Sequence, residues 1–332
     1  MADLILIDGT GNVVASVSDW TLDLAYGSGQ TSGEGNTSST TESENSFTLQ
    51  LPDRWTPSTG WRWGVDGTQL GGWVDGTHVV KKNGVTTLTL TGRTWHGMLA
   101  SRILQPDNGQ DYLTVTGSAA TVLTSLIKRL GLDSLFAIDP DAAGTVSNYR
   151  FNRYVDAWTG MRTMLKTIDR TLAVTFQDHG PMLSTRPIRH IGDEIDSDLM
   201  DIDIETVGNV NHMIGLGKGQ LKARATAHWY MDAKGTASQT QSIKGAGEIT
   251  RIYEDTNSEG TELSNATRDR LKESWQTPNI TCTPHDGLEI DIDDEITARE
   301  HVTGNTVTAT VTKATVKHAL GVTSTTYETK TQ

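Results

Sequence analysis

The sequence predicts a mainly β protein with α+β insertions, and three observations carry that prediction. Apolar and polar residues alternate with period two at both ends of the chain, the period changes to that of a helix between them, and hairpin-type turn chemistry punctuates the alternating runs. Near the start, "DWTLDLAY", "NSFTLQLPD" and "GTHVVKKNGVTTLTLTG" alternate. In the last of these, Asn83-Gly84 lies between two β-prone runs and is a strong short hairpin signal. Between the first two, residues 27–46 read "GSGQTSGEGNTSSTTESENS" without an apolar residue, which predicts a long mobile loop. Residues 1–104 are therefore expected to form a first antiparallel β domain.

From Ser118 the spacing becomes helical. Val122, Leu123, Leu126, Ile127 and Leu130 share one face, Ser118 can cap the start, Lys128 and Arg129 suit the negative end, and Gly131 can close it. A second helix is expected from Asp156 as N-cap through Trp158, Met161, Leu165 and Ile168, followed by a strand with Leu172, Val174 and Phe176. Residues 105–190 thus read as a small α+β domain. After it, "DIDIETVGNVNHMIGLGKGQL" and "RATAHWYMD" are strand-like, "TELSNATRDRLKESWQ" is an exposed helix, and "LEIDIDDEITARE", "NTVTATVTKATVKHAL" and "GVTSTTYETK" form a closing meander. This gives a second β domain at 191–332 with a peripheral insertion at about 226–285. The two β sections suggest two antiparallel barrels of similar kind.

Composition narrows the function. With 332 residues the chain can bury sizeable cores, and a mean hydropathy of −0.39 fits a polar surface. The single cysteine, Cys282, excludes an internal disulfide. No apolar run approaches the ~18 residues that span a bilayer, and "MADLILIDGTG" lacks the basic segment of a signal peptide. Lys plus Arg number 28 against 41 Asp plus Glu, a net charge of −13 that opposes binding of nucleic acid through its phosphates.

Several motifs fail on spacing. The cluster Gly215-Leu216-Gly217-Lys218-Gly219 looks like a phosphate cradle, but a P-loop needs Gly where His212 stands and Ser or Thr where Gly219 stands. A dinucleotide fingerprint would need its third glycine at Gln220. Gly215, Gly217 and Gly219 are read instead as places where a strand bends or meets its neighbour closely. The acidic runs "GDEIDSDLMDIDIE" and "LEIDIDDEI" alternate with Ile202, Ile204, Ile290 and Ile292, so a strand with one solvated face is expected rather than a calcium loop. Nine histidines without a His-x-x-x-His pair, and no Cys-x-x-Cys, give zinc little support, so no metal or cofactor is expected. Cys282 near His285, with no Gly-x-Ser-x-Gly elbow anywhere, makes no hydrolase site. No catalytic residue is assigned.

The tryptophans raise a second reading. Trp55, Trp61, Trp63 and Trp73 crowd a Gly-rich span, and exposed rings on a sheet make a sugar-stacking platform, with Trp61 and Trp63 as candidate glycan-binding residues of a host-recognition module. The competing reading packs these rings into the sheet or an interface.

Three blocks resemble one family, the minor tail or tail-tip (baseplate) hub proteins of long non-contractile-tailed bacteriophages. The first is "LTGRTWHGMLASRILQP", similar to the family's strand-to-helix junction with Gly92-Arg93 and Arg102. The second is "NHMIGLGKGQLKARATAHWYMDAKG" continued by "SIKGAGEITRIYEDTNSE". The third is "LEIDIDDEITARE" with "TVTATVTKATVKHALGVTSTTYET", where the family often shows Gly-Asp in place of Ile292-Asp293. The resemblance covers most of residues 85–330. It implies two β-barrel tube-type domains joined to smaller α+β domains, assembled in the host cytoplasm into a ring, a homotrimer, that continues the tail tube of the virion. It implies as partners other copies of the chain, the distal tail protein, the tape measure protein and the receptor-binding protein, with DNA passing through an acidic lumen without specific binding. Gly92, Arg93, Trp95, Arg102, Gly215, Gly217, Lys218, Gly219 and Arg224 are then candidates for structural or interface roles.

Overall fold

Strand propensity and alternation are realised with little compromise. A computed structural model of the chain describes residues 3–27, 45–52, 57–191, 200–205, 209–275, 279–284, 290–299 and 306–331. The loop expected at 27–46 lies outside these residues except at its ends, as do Trp55 and most of the first acidic run. The described chain is mainly β with a few helices and divides into two units, residues 1–203 with 281–330, and residues 204–280.

The larger unit is organised by a 13-stranded sheet drawn from both ends of the chain. Its central order is Val322–Thr331, Thr306–Ala319, Thr21–Gly27, Ser46–Leu51, Val85–Thr94, Gly71–Lys82, Arg62–Val65, Leu4–Ile7 and Val13–Val17. Period-two patterning sets the register. Leu22, Leu24 and Tyr26 are buried on one strand and face Leu49 and Phe47 on the next, while Leu49 and Leu51 in turn oppose Leu90 and Leu88. Each fully buried Leu or Phe of this kind contributes roughly 1.5–3 kcal/mol. Beside the last strand, Thr306–Ala319 serves two further partners in succession on its other edge, Glu295–Arg299 along its first half and Thr21–Gly27 along its second.

One hairpin outruns the sheet. Gly71–Lys82 and Val85–Thr94 pair as far as Lys82 and Val85, closing through Asn83 at φ 52° and Gly84 at φ 82°. These left-handed values are what the Asn-Gly signal predicts. The flanking strands stop short, at Leu88 on one side and at Trp73 on the other. Beyond Val79 and Leu88 the hairpin is a two-stranded arm, and at its base Val79 and Val80, on opposite faces, are 61% and 43% exposed.

Three helices and a hairpin build the other core of this unit. Helix α1 (Trp95–Ala100) is capped by the Thr94 hydroxyl, α2 (Ala119–Arg129) by Ser118 and α3 (Ala157–Lys166) by Asp156, each accepting from a backbone N–H three residues on. Val122, Leu123, Leu126 and Ile127 of α2 and Trp158, Met161, Met164 and Leu165 of α3 pack with Phe136, Phe151 and Phe176. Gly131 follows α2 at φ 66°, ending it as the sequence suggests.

The smaller unit is a four-stranded sheet in the order Ala237–Ser238, Thr226–Met231, His212–Leu216 and Thr250–Glu254, the last pair parallel. Helix α4 (Gly260–Ser274) lies on it. The sequence reads α4 as an exposed helix, but Leu263, Thr267 and Leu271 recur every four residues and form a buried stripe. Leu271 meets Val210, Met213 and Met231 in a small core.

Candidate functional site

The glycines of the cluster at 215–219 are placed by packing. On His212–Leu216, a Cβ on Gly215 would lie 1.9 Å from the Thr267 hydroxyl of α4, and one on Gly217 would lie 2.4 Å from the Ser258 carbonyl. Gly219 sits at φ +103° with Ala223 O 2.5 Å from where its Cβ would be. The close neighbours are thus a helix, a loop and a tight turn of the same unit. Arg224 donates from Nε to Gly217 O at 3.2 Å and approaches Glu254 at 3.5 Å, so its charge is engaged within the unit. Lys218 is exposed and 3.9 Å from Glu259, a loose surface pair.

The first block is likewise internal. The pairing shifts between Val74 and Gly76, leaving Asp75 as the extra residue of a bulge opposite Gly92, where a Cβ would meet Trp73 O at 2.0 Å. Asp75 turns back and accepts from Arg93 Nε and Nη2, both at 2.8 Å, while Arg93 Nη1 donates to Ser101 Oγ at 2.9 Å just beyond α1. The Arg93 hydrogen bond lowers the Asp75 pKa and the same bond raises that of Arg93. Trp95 is fully buried, stacked 6.1 Å from Phe176. The side chain of Arg102 is exposed, and its carbonyl accepts from Ala157 N at 2.7 Å.

The tryptophan platform is corrected. Trp63 is 0% exposed and packs edge-on against Phe47, because its strand position points into the sheet core, and Trp61 is half-buried. Trp63 is therefore unavailable to a sugar. Cys282 lies on Asn279–Pro284, and His285 is outside the described residues.

The acidic run before Glu295 is also not a solvated strand face. Asp293 and Asp294 are 1% and 0% exposed and sit in a turn, with Asp293 at φ 75°. Asp293 accepts from Arg162 Nε at 2.8 Å, from Arg162 Nη2 and from the Thr171 hydroxyl, and pairs with Lys166 at 2.6 Å. Burial by itself would raise the Asp293 carboxyl, but these partners outweigh it and hold it at about 2. Asp294 pairs with Arg186 at 2.5 Å and Arg189 at 3.1 Å and accepts from the backbone N–H groups of Arg189 and Asp291. Burial pushes Asp291 up, with Arg186 opposing, and Tyr26, donating to it at 3.3 Å, is raised well above its ordinary value by burial and then by that carboxylate. These residues lie over a hundred positions apart, so no spacing signal announces them. Chemically the cluster is closed: its carboxylates are matched by cations and donors, which suits holding the C-terminal strands to the α+β section.

Next to this cluster, His96 on α1 is 1% exposed, stacked 4.4 Å from Tyr26, with no partner for Nδ1. Burial, with the Arg162 charge nearby, pushes its pKa down to about 3. It is a neutral ring in the core at physiological pH. A polar cleft of about 480 Å³ opens between residues 105–111 and 153–154, lined by Asp107, Asp111, Arg153 and Tyr154.

No protein-family profile matches the sequence, and no curated protein matches it. Solved structures do resemble the chain. The tail protein from Neisseria meningitidis MC58 is 12% identical, with a TM-score of 0.46 over 99% of this chain and 96% of that one. The 43 kDa tail protein of prophage MuSo2 from Shewanella oneidensis is 10% identical, with a TM-score of 0.49 over 99% and 98%. A chain of the phage P2 baseplate in its activated conformation with Ca is 10% identical, with a TM-score of 0.45 over 99% and 98%. All three of these structural neighbours are described as tail or baseplate proteins.

Proposed function

We propose that the protein is a structural component of a phage tail tip or baseplate, a hub that continues the tail tube as a ring and lines the channel through which DNA leaves. The observation that carries this reading is the large sheet. It is built from both ends of the chain and extends into an arm, residues 80–87, with the exposed Val79 and Val80 on opposite faces at its base. An isolated two-stranded ribbon is marginal in water, so an arm of this kind gains stability from a neighbour. Lys81 and Lys82 at its tip suit a partner surface of the same chain, whose net charge is −13. The buried aspartate turn supports a structural rather than catalytic role, since its charges are engaged with one another.

In this reading residues 1–104 and 191–332 supply two tube-type β domains and residues 105–190 the α+β domain between them. The ring is a trimer assembled in the host cytoplasm and stacked against distal tail, tape measure and receptor-binding proteins of the virion. Its acidic balance repels the DNA backbone, so that DNA slides without adhering. Light scattering on the purified chain, alone and mixed with its distal tail protein, tests the reading. Three chains per particle and a ring in negative stain are expected. A monomer under both conditions would overturn it.

A further inference from the structure

Two histidines that lie sixteen residues apart meet on one face of the smaller unit. His212 stands opposite Tyr230 across the antiparallel pair, so His228, two positions before Tyr230, is its diagonal neighbour on the same face. Nε2 of His212 is 3.1 Å from Nδ1 of His228. On the other side of His212 the parallel strand brings Thr250 opposite, and Glu248 Oε1 lies 2.7 Å from His212 Nδ1. The Thr250 hydroxyl donates to the same carboxylate oxygen at 3.0 Å. The Tyr230 ring stacks on His212 at 4.4 Å. His212 is 8% exposed and held from three sides, whereas His228 faces solvent.

We propose that Nε2 of His212 and Nδ1 of His228 are two ligands of an open site for a divalent transition-metal ion that favours imidazole: zinc, copper or nickel. Glu248 acts as the orienting carboxylate. By accepting from His212 Nδ1–H it fixes the tautomer and leaves the Nε2 lone pair aimed at His228. Two nitrogens each 2.0–2.1 Å from a tetrahedral ion lie about 3.3 Å apart, close to the observed separation. His228 becomes a ligand by carrying its proton on Nε2. Nitrogen donors disfavour calcium and magnesium. Among the described residues no group of three or more His, Cys, Asp or Glu could hold an ion, so water completes the coordination. The site is accordingly exchangeable and does not hold the fold together as a four-ligand zinc does. The competing arrangement is a direct imidazole–imidazole hydrogen bond that excludes the ion.

Calorimetric titration of the chelator-stripped full chain with Cu²⁺ and with Zn²⁺ tests this. One ion per chain is expected. His228→Ala removes an exposed ring and lowers affinity at least about tenfold, and Glu248→Gln, which keeps the fold but weakens the carboxylate support, lowers it about 10–100-fold. Unfolding of the metal-free variants, followed in parallel, shows that each is folded. Uptake that survives the double replacement of His212 and His228 by Ala, or wild-type protein that takes up neither ion, overturns the proposal. The test is independent of the ring, since it reads one chain.

Discussion

The aspartate turn at 291–294 and the imidazole pair at 212 and 228 are both polar clusters assembled from distant residues, but they are finished differently. In the first, two buried carboxylates meet three arginines, a lysine, a threonine and backbone N–H groups. In the second, a carboxylate and two rings form a chain that runs from a buried ring to an exposed one. A low-dielectric site demands complete pairing, whereas a cluster that reaches solvent can leave a lone pair open. The difference teaches that the first cluster holds structure and the second is available for chemistry.

The comparison breaks most visibly by deleting one member from each. Asp293→Ala leaves Arg162 buried beside an empty partner and is expected to cost about 3–5 kcal/mol in urea unfolding. His228→Ala, on an exposed side chain, is expected to stay within about 0.5 kcal/mol. Equal costs would mean that the two clusters bear alike on the fold.

Acid separates the groups next. The folded-state pKa of His96, about 3, lies below its ordinary 6.5, so between these values only the unfolded chain takes up the proton. His96 therefore contributes a loss of stability of about 1.4 kcal/mol per pH unit as pH falls from about 6 to 4. The contribution of Asp293 is present above 3.8 and is lost only as pH falls through about 2. His96→Phe keeps a ring between Tyr26 and Trp158 and should flatten the upper window alone. A slope unchanged in His96→Phe would remove His96 as its source.

Two glycines give smaller effects of different kinds. Gly92→Ala meets a backbone carbonyl and Gly215→Ala meets a side-chain hydroxyl, each costing about 1–3 kcal/mol. Thr267→Ala should recover part of the second, while no neighbouring side-chain replacement recovers the first. Thermal unfolding of the double variant reads this directly. Asp156→Ala, the loss of one cap on α3, is expected to cost about 1 kcal/mol in the same measurement.

What could be read along the chain was local. Ser118 and Asp156 announce α2 and α3, Asn83-Gly84 its hairpin, and alternation at Leu22, Leu24, Leu49 and Leu90 the buried face of the sheet, because caps, turns and periods act within a few residues. Spacing misled where the answer lay across strands. Alternation with Ile290 and Ile292 suggested a wet face, and no spacing along the chain announces that His212 and His228 meet across a hairpin.

The sequence by itself determined the mainly β character, the helices with their caps and the acidic balance of the chain. Only the tertiary structure decided that Trp63 belongs to the core, that Arg162 and Asp293 share a buried pair, and that Gly215 makes room for α4. The physical reason is range. Backbone preferences and side-chain periods are properties of neighbouring residues, whereas burial and charge pairing depend on which distant segment packs opposite, and that is fixed when the whole sheet closes over its core.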